Sequence, residues 1–279
     1  MGTNQPAIPQ EEQSHKPIRW TVVVVIALIS ILGVLGPKFL WMLEPYRELV
    51  RSLPVDLQFV IHPAFRMILV ALGTLSIYRM VSGSVAQAQR PTLGLKVGWS
   101  RASSAFLLGF VFTLPMLVLG LFSRSATPSH YEILYGGLSP GVTEEVFFRA
   151  FMFGFLVQAA RCPMWTSAVI TGVVFGLAHI DITPEEGQSI LGQLNAWNAM
   201  IALGGVMFAW IYYLSKWNLW LVIALHIGMN VWWDMFDLNS TPLGGIGATL
   251  SRILPIALAV FFIMDARGRR CITPSTIHS

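Results

Sequence analysis

Three short stretches place acids, bases and an amide in otherwise apolar surroundings. In GVTEEVFFRAFMFGFL, Gly141 to Leu156, the adjacent acids Glu144 and Glu145 are followed by Arg149, four residues after the second. In VFGLAHI, Phe175 and His179 are four apart, and in LHIGMN the same interval separates His226 from Asn230. Residues four apart share a helix face, and acid before base is the favourable order for a pair. Glu145 and Arg149 can therefore neutralise each other, whereas Glu144 is turned about 100° away and stays available. A free carboxylate, two imidazoles and an amide suffice for hydrolysis: a base to activate water, a partner to orient it, and donors for a developing oxyanion.

The elements that must position these residues belong in a bilayer. Of 279 residues, 54% are hydrophobic and 11% charged, and the mean hydropathy is +0.63, far from the balance of a soluble domain. Apolar runs fit to cross a hydrocarbon core of about 30 Å predict an all-α, polytopic helical membrane protein. The predicted spans are Trp20 to Gly36, Leu57 to Met80, Ala102 to Phe122, Pro140 to Ala160, Trp165 to Ile180, Trp197 to Leu214, Leu219 to Trp233 and Ala248 to Met264, eight in all. Trp20, Trp41, Trp99, Trp165, Trp197, Trp217 and Trp220 lie at or near span ends, where an amphipathic ring is comfortable. Residues 1–16 form a polar, proline-containing tail with too little apolar surface to fold alone, residues 17–270 form the membrane domain with a catalytic core at 120–236, and 271–279 form a C-terminal tail. Lys16 and Arg19 precede the first span without a small-x-small cleavage pattern after it, so it reads as an uncleaved helix.

Within the bilayer a charged side chain costs at least about 2.5 to 3.5 kcal/mol, so those that remain face a cavity or a partner and mark function. Away from span ends they are His62 and Arg66 in the second span, read as lining a cavity mouth or snorkelling, and the three groups above. Ser139-Pro140 reads as a helix start, Ser as N-cap and Pro at the first helical position, with Gly136, Gly137 and Gly141 discouraging a helix that runs through. That start puts Glu144 and Glu145 in the first two turns, shallow in the membrane and eased by the helix dipole.

With the N-terminus inside, cytoplasmic segments collect eleven Lys and Arg against five outside, which predicts both termini in the cytoplasm. It also puts Glu144 and His179 toward the outer leaflet. The net charge of +4 follows these edges and forms no basic stripe, so nucleic acid is excluded as a partner. The two cysteines, Cys162 and Cys271, build neither a disulfide framework nor a thiolate metal site. Cys162 beside Arg161 reads as a small interfacial residue ahead of an acylation site.

The three motifs, EExxxR at Glu144-Glu145-Arg149, FxxxH at Phe175-His179 and HxxxN at His226-Asn230, in this order and in successive membrane segments, resemble the CAAX prenyl protease type II family, also called the CAAX protease and bacteriocin-processing (CPBP) family. The resemblance spans roughly Pro140 to Trp233; the first three spans and the last carry none of it. It implies a glutamic-type intramembrane endopeptidase without metal or other cofactor. Glu144 and His179 would activate water, His226 and Asn230 would stabilise the oxyanion, and Arg149 would hold Glu145. Phe175 is read as a cavity wall. The implied partners are the lipid bilayer and a hydrophobic peptide or membrane-protein substrate. The implied location is a bacterial plasma membrane, and oligomeric state is left open. Three readings compete. A zinc site on Glu144, His179 and His226 lacks an HExxH motif and would draw ligands from three helices. A proton-coupled transporter would need inverted repeats that are not found here. A non-catalytic immunity or scaffold protein of the same fold would tolerate loss of Glu144 or His179, yet both are present.

Overall fold

The computed structural model describes residues 17–81, 92–122, 132–180, 194, 196–236, 238 and 244–272, and all regular structure among them is helical. The expected tail at 1–16 lies outside the described residues. At the other end a helix continues to Ile272, just past the expected start of the C-terminal tail.

In chain order the elements are α1 (Trp20–Met42), α2 (Glu44–Arg51) and α3 (Val55–Val81), followed by α4 (Trp99–Phe112) and α5 (Leu114–Gly120). A single rod then joins four pieces, α6 (Glu132–Leu138), α7 (Ser139–Glu144), α8 (Glu145–Phe153) and α9 (Gly154–Gln158). The remainder are α10 (Met164–Ala178), α11 (Ala196–Leu214), α12 (Leu219–Phe236) and α13 (Gly244–Ile272). Five segments are long and apolar enough to cross a membrane: Trp20–Met42, Val55–Val81, Trp99–Gly120, Leu219–Phe236 and Gly247–Ala266. Large apolar side chains on their outer faces, such as Leu28, Ile31, Leu107 and Phe261, are exposed, as a lipid-facing surface requires. The protein is an integral membrane protein of helical class.

Three of the eight predicted spans differ from these five, for reasons of length and charge. The rod carries Glu144, Glu145 and Arg149. Met164–Ala178, with 15 residues, reaches about 22 Å and falls short of the roughly 30 Å hydrocarbon core. Asn198–Leu214 is also a shorter apolar helix.

The rod is the hub of the core. Every residue of α8 is buried, with Phe147, Phe148, Phe151 and Phe153 filling the space between helices. The rod packs against α3, α10, α11 and α12. Beside it α10 and α11 approach closely: a Cβ on Gly172 would stand 2.6 Å from the carbonyl oxygen of Ala202, and one on Gly205 2.9 Å from the Cα of Gly172. Small residues at such a crossing substitute for the missing hydrophobic drive between helices in lipid.

The predicted helix start at Ser139 is overturned. Leu138 is itself in right-handed helical conformation, and no side chain caps the supposed N-terminus. The helical backbone instead runs from Glu132 into Ser139 through a π-helical stretch, whose wider i→i+5 turns make room for the ring of Pro140. Glu144 therefore lies twelve residues into the rod, well inside it and not in its opening turns.

Candidate active site

Adjacent positions in the rod send the two acids in different directions. Glu145 opens the second π-helical stretch, α8, and faces the core; its side chain is fully buried, as is that of Arg149. Arg149 Nη1 lies 3.0 Å from Glu145 Oε1, near enough to pair although not aligned as a hydrogen bond. The guanidinium carbon lies over two rings, 4.3 Å from the centre of Phe175 and 5.1 Å from that of Phe208, surroundings suited to a flat, weakly hydrated cation. The same carboxylate oxygen also accepts from His226 Nδ1, at 2.6 Å. Glu145 therefore holds a base as well as a cation, and the His226 contact bridges 81 residues of sequence.

Both histidines are fixed at Nδ1. His179 terminates α10 in the bridge region of backbone space, φ −90° and ψ 0°, and its amide turns to Gly176 O. The carbonyl of Phe175 is thereby released from its helical donor, and it receives His179 Nδ1–H at 2.8 Å. A carbonyl only accepts, so the proton sits on Nδ1 and Nε2 of the neutral ring is bare. A carboxylate oxygen likewise only accepts, so opposite Glu145 Oε1 the His226 ring carries its proton on Nδ1, and its Nε2 could donate only from an imidazolium. The Phe175 ring touches both, with centroids 4.7 Å from His179 and 6.5 Å from His226. It is a wall that links the two bases and Arg149.

Asn230, one helical turn beyond His226, donates from Nδ2 to Gly136 O at 3.2 Å. The bond ties α12 to the first π-helical stretch of the rod, and one of the two amide protons is committed there.

Glu144 is partly exposed and stands 3.9 Å from Arg66 Nη1 on α3. Among the described residues no histidine comes within ion-pair distance of its carboxylate. Of the two α3 residues expected to line a cavity mouth, only Arg66 reaches the site. His62 turns to α2, 3.1 Å from the hydroxyl of Tyr46 and stacked on its ring. Sequence reasoning did not connect Arg66 with Glu144; its one signal was a cation at bilayer depth.

Among the described residues no three His, Cys, Asp or Glu side chains form a metal-binding group. Cys162 lies in the turn between α9 and α10, where burial pushes its thiol above the ordinary value. That keeps it protonated and a poor nucleophile at neutral pH.

A bundle of apolar helices enclosing a carboxylate, an arginine and two oriented imidazoles defines a membrane protein with a polar site inside its helical core. Residues 126–232 match the family model described as type II CAAX prenyl endopeptidase Rce1-like. This segment is thus Rce1-like, and it contains all three motifs while leaving out α1 to α5, including Arg66. No curated protein and no solved structure gives a significant match to the chain.

Proposed function

We propose that the chain is an intramembrane glutamic-type endopeptidase that hydrolyses a peptide bond in a hydrophobic or membrane-associated substrate. Glu144 and His179 hold the attacking water between them, take its proton and return it to the leaving amine. The Nε2–H that His226 presents when its ring is protonated and the second amide proton of Asn230 stabilise the oxyanion. Arg149 holds Glu145 in place beside His226. Glu145 is thereby a positioning residue, and no metal takes part in the step.

The observation that carries this reading is the matched pair of histidine anchors. Each imidazole is held at Nδ1 by an acceptor that can do nothing else, Phe175 O for one and Glu145 Oε1 for the other. Such holding fixes the tautomer and direction of a catalytic imidazole, and it occurs twice within the segment that matches a peptidase family. We also infer eight membrane crossings, both termini in the cytoplasm and a bacterial plasma membrane as the location. In that arrangement the rod is the shielded inner crossing, while α10 turns Trp165, Val169 and Val173 outward and α11 turns Leu203 outward.

The test uses purified protein in detergent with a fluorogenic prenylated CAAX-type peptide, alongside the membrane proteomes of cells making wild type or Glu144→Ala. Wild type is expected to cleave the peptide or trim a membrane protein. Glu144→Gln and His179→Ala should fall by about 10²- to 10⁴-fold while remaining folded. Cleavage by Glu144→Gln at the wild-type rate would refute the assignment.

A further inference from the structure

We propose that Arg66 is a positioning residue for Glu144, held in place by a backbone acceptor that Pro37 leaves open in α1. The inference rests on the peptidase reading for its catalytic consequence, and on geometry alone for the contact.

Arg66 lies on α3, outside the segment that matches the family. Its Nη1 faces Glu144 Oε1 at 3.9 Å, with both side chains mostly withdrawn from the surface, at 19% and 16% exposure. What aims the guanidinium is on a third element: Nε donates to Gly33 O at 3.1 Å. Gly33 sits in the middle of α1, where carbonyls are normally occupied by the amide four residues on. That residue is Pro37, inside the continuous helix, and it has no N–H to give. The carbonyl is thus an unfilled acceptor buried between helices, which favours a donor from a neighbour. Gly33 also lets α1 close on the rod, because a Cβ there would run into the ring of Phe147.

Asn230 is likewise anchored on a backbone carbonyl of another helix, that of Gly136 in the rod. Since Arg149 pairs with Glu145, Arg66 supplies a separate cation that directs the Glu144 carboxylate.

Two measurements test this on the full chain in detergent. The first needs no turnover: thermal unfolding of wild type, Arg66→Met, Glu144→Gln and the double variant. Arg66→Met is expected to lower Tm more when Glu144 is present than when Gln replaces it; strict additivity would overturn the contact whether or not the protein is a peptidase. The second is steady-state cleavage of the prenylated CAAX-type peptide. Arg66→Met should lower kcat by up to about 10²-fold, the effect of a misplaced reacting group, with KM little changed and part of the loss restored by Arg66→Lys. Pro37→Ala, which returns a helical donor to Gly33 O, should reproduce part of the kcat loss without altering any atom of Arg66. A rise in KM with kcat intact would make Arg66 a substrate-binding group and overturn the proposal, as would full kcat in Pro37→Ala. If wild type cleaves nothing, the peptidase reading fails and the unfolding cycle alone decides the contact.

Discussion

Glu144 and Glu145 are consecutive residues with opposite surroundings, and substitutions should separate them. Arg149→Met leaves Glu145 buried with His226 alone and is expected to cost about 3–5 kcal/mol of stability, as loss of one partner from a buried pair does; a lower Tm in detergent measures it. Arg149→Lys should rescue little of that loss, because a strongly hydrated ammonium is a poor substitute for the guanidinium that lies over Phe175 and Phe208. Glu144→Gln, at a partly exposed position, should change Tm much less than Arg149→Met. The Glu145–Arg149 pair was legible in the sequence because both members lie on one helix at a known interval. The Glu145–His226 bond and the approach of Arg66 to Glu144 were not, since each joins separate helices and spacing along one helix carries no information about them.

At the level of the helices, local signals gave the wrong start for the rod. Ser139-Pro140 after two glycines is a sound cap signature in isolation, yet the helix runs through it: π-helical i→i+5 turns pass over the missing N–H of Pro140, and Asn230 adds a donor to Gly136 O from α12. Asn230→Ala should destabilise the wild type by about 0.5–1.5 kcal/mol, the net worth of a typical hydrogen bond, as read by thermal unfolding. The α10–α11 crossing makes a second prediction at this scale. Gly172→Val would press on Ala202 O and Val206 and should cost about 1–3 kcal/mol by overpacking. Gly204→Ala, where an added Cβ meets nothing within 4 Å, should be tolerated. Gly172 and Gly176, four apart on one face of α10, carry a signal for such an approach in the sequence itself.

For the whole molecule, composition alone established the helical membrane class, because a chain this apolar has few other solutions. The number of crossings was less legible: a hydropathy window weighs length and charge, and the segments that build the site are the short or charged ones. The proposed orientation can be checked by cysteine accessibility after Cys162 and Cys271 are replaced. Ser52→Cys, between α2 and α3, is expected to label from outside intact cells. Ser215→Cys, between α11 and α12, should label only after permeabilisation. The reverse pattern would put the site toward the cytoplasmic leaflet.

The Gly33 acceptor has a consequence for biogenesis. Synthesis runs from the N-terminus, so α1 and α3 leave the ribosome well before the rod. The socket vacated by Pro37 and the guanidinium it holds are both made before Glu144 enters the lipid. An incoming carboxylate then meets a waiting counter-charge, which lowers the cost of threading an acid into oil and biases the nascent rod to dock beside α3.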